Sequence, residues 1–168
     1  MGLVLIVRAT KKLRDRIGSP DLRDGERSTT ALGEWYATRF AWRPDVLLLV
    51  NESTLLPVLL PLAPAATALT RAVDRIAAAM RTYGAAEATI AAEVEQMATR
   101  RIGPTANRSV VGIMNEFTFL ADHWRGPDLD ELSARLAAKP CSPLYRPRHP
   151  RSAIRHVADF GDPLQLNI

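Results

Sequence analysis

The chain has 168 residues, 47% hydrophobic and 24% charged, with a net charge of +4, which is ordinary for a soluble globular protein and suits one domain with a real core. A single cysteine, Cys141, excludes an internal disulfide framework and a cysteine-ligated zinc site. Only Lys11, Lys12 and Lys139 among the 22 basic residues are lysines; arginine bias of this kind follows from a GC-rich genome and does not by itself mark a nucleic-acid face.

Residues 3–7 form a short apolar run that predicts a buried strand. No charged region precedes it, and it is too short for a secretory signal, so a reducing, cytoplasmic setting is expected. Thr10 then caps a short basic helix at 11–17. Residues 18–30 read as a polar loop, and 35–42 as an aromatic-rich strand, with a helix from near Thr30 as the alternative. Strands follow at 46–50 and 55–60, joined by a turn at 51–54. Pro57 lacks a donor N–H, so its strand belongs at an edge or a bulge. These pieces suggest an antiparallel meander. Asn51, Glu52 and three prolines interrupt residues 46–66, so no membrane span is expected there.

The period then changes to 3.6. Leu69, Val73, Ile76, Met80 and Tyr83 make a helical core stripe that Gly84 ends. Ile90, Val94 and Met97 mark a second helix, and residues 98–104 a further strand. At 105–109 a polar cluster (Thr105, Asn107, Arg108, Ser109) opens the clearest helix of the chain, with Val110, Ile113, Met114, Phe117, Leu120, Ala121 and Trp124 on its buried face. Asn107 or Ser109 is the expected N-cap. After Gly126-Pro127, Asp128 and Glu131 start one more helix in the manner of a capping box. Residues 1–146 read as a single domain and 147–168 as a basic, loosely held tail.

Five segments resemble a bacterial domain-of-unknown-function family: Arg8-Ala9-Thr10-Lys11-Lys12-Leu13, residues 28–37, Leu55-Leu56-Pro57-Val58-Leu59, residues 105–117, and Pro140-Cys141-Ser142-Pro143-Leu144. Members of that family are sometimes joined to a plasmid-type open-reading-frame domain. The resemblance spans about residues 3–145 and implies one compact domain and a link to plasmids or other mobile elements, with no activity to carry over. Gly103-Pro104 departs from the Ala-Lys expected at that place, which argues against a lysine-based role there.

Arg8, Thr10, Lys11 and Lys12 sit at a strand-to-helix junction, where phosphate is often held, but without the glycine-rich loop of a nucleotide fingerprint. A solvated helix start is the simpler reading unless Arg8 and Lys11 share a cleft with Arg108. Arg108 is carried to a helix N-terminus, which favours anions. Asn115 reads as a half-buried hydrogen-bond hub. Glu52 and Glu116 are weak catalytic candidates that would matter as a carboxylate pair. Ser28, Thr29 and Thr30 read as a turn cap. His123, His149 and His156 have no zinc spacing, and neither a metal nor a cofactor is expected.

The sequence therefore predicts an α+β domain, with a mixed or antiparallel sheet of about four strands against about four helices. The preferred function is a binding module for an anionic ligand, nucleic acid or nucleotide, in a plasmid or defence setting. Arg8, Lys11, Lys12 and Arg108 would meet phosphate, with Thr10, Thr105, Asn107, Ser109 and Asn115 orienting it. One competing class is a phosphoryl or nucleotidyl enzyme using Glu52 or Glu116. The other is a protein–protein module of a toxin–antitoxin type, using the aromatic segment 35–42.

Overall fold

A computed structural model describes residues 2–141, 144 and 149–156. Among these residues the chain forms β1 (Val4–Ala9), α1 (Lys11–Ile17), β2 (Trp35–Phe40), β3 (Val46–Asn51), β4 (Pro57–Pro61), α2 (Ala68–Thr82), α3 (Glu87–Gln96), β5 (Thr99–Pro104), α4 (Arg108–Trp124), α5 (Leu129–Ala137) and α6 (Pro150–Ala153). The sheet has five strands rather than about four, in the order β4-β3-β2-β1-β5. The antiparallel meander holds for β2, β3 and β4. β1, however, lies between β2 and β5 and pairs parallel with both, so the sheet is mixed.

Both faces of this sheet are covered, which is why β3 (Val-Leu-Leu-Leu-Val-Asn) is apolar without alternation. On one face Leu5, Val7, Trp35, Ala37, Leu47, Leu49 and Leu60 pack with Ala72, Val73, Ile76 and Met80 of α2 and Ile90 of α3. On the other, Tyr36, Phe40, Leu48, Val50 and Leu59 pack with Val110, Ile113, Met114 and Phe117 of α4 and Leu132 and Leu136 of α5. The predicted stripe of α4 is thus its buried face, although Leu120 and Trp124 are only partly covered.

The sheet edges are closed by specific bonds, as unpaired strand edges must be. β4 is an edge strand, one of the two places open to Pro57. Its Leu59 amide donates to Ser133 Oγ at 3.1 Å, and Arg71 Nη1 donates to Pro61 O at 2.7 Å. On the opposite edge, the Asp21 and Leu22 amides donate to Ile102 O at 2.9 and 3.1 Å, while Ile102 N donates to Asp21 Oδ1 at 2.6 Å.

The caps divide by chemistry. Asn107 is the N-cap of α4, and its side chain accepts from Ser109 N and Val110 N. Asp128 does the same for α5, accepting from Asp130 N and Glu131 N. Thr10 takes the N-cap position of α1 without a side-chain cap bond; its hydroxyl instead meets Thr38 Oγ1 at 2.9 Å. Part of the segment expected to be a loose tail is packed. Pro150 and Ala153 of α6 are buried, and Ile154, in the short 3-10 turn that follows, is 0% exposed within the core. Residues 157–168 lie outside the described residues.

Candidate functional site

α4 covers β2 and β3. Beside its N-terminus, at the C-terminal ends of β1 and β5, a polar cleft of about 750 Å³ opens, lined by Arg8, Glu26, Arg27, Glu34, Tyr36, Glu52 and Asn107 among others. Strand register brings its floor together. Arg8 of β1 pairs with Gly103 on one side and Tyr36 on the other, so the three residues share a face. Gly103 lies close under this floor: a Cβ there would stand 3.0 Å from Leu22 Cδ2 and 3.3 Å from Arg8 Nη1, a tight contact with the ends of two flexible side chains.

Arg8 forms a two-point fork with Glu34, Nε to Oε2 at 2.9 Å and Nη2 to Oε1 at 3.2 Å. Nη1 also donates to Pro104 O at 3.3 Å. The Glu34 hydrogen bond holds Arg8 above the ordinary guanidinium range, with the charges of Glu34, Tyr36 and Glu52 adding to it against partial burial. Tyr36 reaches the cleft through its hydroxyl, which accepts from the Asn107 amide at 2.8 Å. Asn107 Oδ1 is spent on the helix cap, leaving its amide NH₂ as a donor at the cleft.

Glu34 and Glu52 are delivered by two turns locked to one another. Gly33, at φ 78°, ends a turn in which Thr30 Oγ1 donates to Gly33 O at 2.7 Å. The buried carboxylate of Glu93 accepts from Ala31 N and Leu32 N at 3.0 and 3.4 Å. Asn51, 0% exposed, donates to Leu32 O at 2.8 Å and accepts from Ser53 N, Thr54 N and Thr54 Oγ1. The Glu52 amide closes the pair by donating to Glu34 O at 3.0 Å. Ser28 and Thr30 bond each other at 2.7 Å, so that hydroxyl run does cap a turn.

The expected site residues separate in space. Arg8, Glu52 and Asn107 converge on the cleft; Thr10, Lys11, Lys12, Thr105, Arg108, Ser109, Asn115 and Glu116 do not line it. Lys11 is exposed and pairs with Asp15 at 3.1 Å. Lys12, Arg108 and Ser109 are exposed and Thr105 is half-buried. Asn115 is exposed rather than half-buried, and the hub role expected of it falls to Asn51. The Glu52–Glu116 pair does not form. Glu116 is exposed and lines, with Asn115, Phe119, Lys139 and Cys141, a separate cleft of about 540 Å³. Burial, aided by the charge of Glu116, pushes the Cys141 thiol up to about 11, so it is no ready nucleophile. Among the described residues no group of three or more His, Cys, Asp or Glu could hold a metal ion, and no helix is long and apolar enough to cross a membrane.

Sequence reasoning missed Glu34, Tyr36, Glu26 and Arg27. Glu34 and Tyr36 stand in the 28–37 segment that carries the resemblance, but neither has a local pattern that separates a cleft residue from a strand residue.

A family model described as a domain of unknown function, DUF6933, matches residues 6–150. The chain belongs to that family. The match takes in every residue named at the cleft. No curated protein and no solved structure matches the chain.

Proposed function

We propose that this member of the DUF6933 family is a binding module for a compact, nucleotide-sized polar ligand held in the cleft over β1 and β5. The observation that carries the reading is the convergence of Arg8, Glu34, Tyr36, Glu52 and Asn107, from separate strands and turns, on one cleft of about 750 Å³. That volume is in the range of small-ligand sites, and convergent polar groups supply their specificity. Two arginines face three glutamates along the lining, so the cleft suits a ligand bearing both donors and acceptors better than a long polyanion. Carboxylates at Glu34 and Glu52 accept from ribose hydroxyls or an amino group; Arg8 and the Asn107 amide donate to a phosphate or carbonyl oxygen. The link to plasmids or other mobile elements implied by the resemblance is compatible with a nucleotide ligand.

The enzyme reading is weaker because Glu52 and Glu116 open onto different clefts. The protein–protein reading is weaker because Trp35, Tyr36 and Phe40 are in the core.

Calorimetric titration with nucleosides and nucleoside monophosphates tests the proposal. Wild type is expected to bind at least one, and Glu52→Gln to weaken it about tenfold, the worth of a hydrogen bond to a charged group. Absence of binding to every nucleoside and nucleotide, or binding indifferent to Glu52→Gln, would overturn it.

A further inference from the structure

At the other end of β2, away from Tyr36, a third cleft of about 510 Å³ is lined by Arg16, Arg39, Trp42, Arg43 and Asp45 among others. The geometry points to this cleft as a phosphate-binding site. One carboxylate serves two guanidiniums: Asp45 Oδ2 accepts from Arg16 Nη2 at 2.7 Å and from Arg39 Nε at 2.8 Å. A third bond, Arg39 Nη2 to Asp45 Oδ1 at 3.3 Å, fixes the Arg39 fork. The hydrogen bonds of Arg39 and then Arg16 hold the Asp45 carboxyl below its ordinary range, so it stays ionised and orients both arginines.

Three arginines therefore face a single carboxylate. Arg43 is exposed, and among the described residues it has no hydrogen bond or ion pair. Nη1 of Arg39 makes no such bond either. The cleft thus offers uncompensated positive charge and several planar N–H donors, the combination that recognises phosphate oxygens. Lys12, four residues before Arg16 on α1 and so on the same side of that helix, extends the row of cations. The cleft over β1 and β5 differs in that carboxylates outnumber its arginines. The sequence-level expectation of an anion site is better met here, at residues that no motif singled out.

The shared chemistry is phosphate, whether of a small phosphate ester or of a nucleic-acid backbone. Trp42 lines the cleft, and its Nε1–H donates to Asp122 at 2.9 Å, so its indole N–H signal reports on the site in a ¹⁵N–¹H correlation spectrum. At low salt, pyrophosphate is expected to shift the Trp42 indole and Arg39 Nε signals saturably. Arg43→Gln, an exposed change checked for an unaltered melting midpoint, is expected to weaken binding about tenfold. Arg108→Ala is expected to leave it unchanged. A parallel titration with a short single-stranded oligonucleotide separates the sources: shifts with pyrophosphate alone assign a small phosphate ester, and tighter, salt-sensitive shifts with the oligonucleotide assign a backbone. No shift at millimolar concentrations of either probe, or binding indifferent to Arg43→Gln, would overturn the assignment.

Discussion

Glu93 is 3% exposed on α3 and lines no part of the polar cleft, yet it holds the turn that delivers Glu34. Burial raises its carboxyl above the ordinary glutamate range, against the lowering pull of the Leu32 and Ala31 amides. A carboxyl raised in the folded state contributes stability that is fully present below its unfolded value and lost as pH rises through the folded one. Glu93→Gln abolishes that titration and turns an NH₂ toward one of the two amides. At neutral pH it is expected to lower stability by about 1–3 kcal/mol. In urea melts across a pH series, the margin of wild type over the variant should widen as pH falls toward the ordinary glutamate range. Equal midpoints at every pH would mean that the turn needs no carboxylate. Single residues also show how far local reading reaches. Asn107 was recognisable as a cap because its partners lie two and three positions away. Tyr36 was not recognisable as a cleft residue, because an aromatic in a strand reads as core and the amide its hydroxyl meets lies 71 positions away.

At the scale of elements, periodicity located α2, α4 and α5 and the strands of the meander, since each buries one face or both and repeats its apolar residues accordingly. The N-terminus of α4 allows a direct test of cap against anion site. Asn107→Ala should lower stability by about 1 kcal/mol, because two first-turn amides lose their acceptor. Arg108→Ala should leave the melting midpoint nearly unchanged, since the Arg108 side chain is exposed and makes no hydrogen bond or ion pair among the described residues. The reverse order of midpoints would make Arg108 architectural and the cap dispensable. The segment 35–42 had both strand and helix signals. Its first six residues, Trp35–Phe40, are strand because β1 and β3 pair with them on either side, a stabilisation that propensity does not contain.

At the scale of the molecule, the fold extends past residue 146. Ile154 is sealed into the core beside α2 and α3, so Ile154→Ala should cost about 2–5 kcal/mol. A chain ending at His149 should melt lower still by thermal denaturation, because it also loses the buried Pro150 and Ala153. A truncated chain that melts with wild type would remove this segment from the core. The Pro-Arg composition around it suggested a loose tail, because composition carries no sign that one isoleucine finds a distant site. The sequence by itself determined the α+β class, most element positions, the helix stripes and the cap at Asp128, and narrowed β4 to an edge or a bulge and the α4 cap to Asn107 or Ser109. All of these follow from periods of two and 3.6 and from bonds spanning a few residues. Only the tertiary structure decided that β1 pairs parallel between β2 and β5, that Arg8 is clasped by Glu34, and that Glu52 and Glu116 face different clefts. The physical reason is separation along the chain: Arg8 meets Glu34 across 26 positions and Pro104 across 96, distances over which no local pattern records which charges will share a surface.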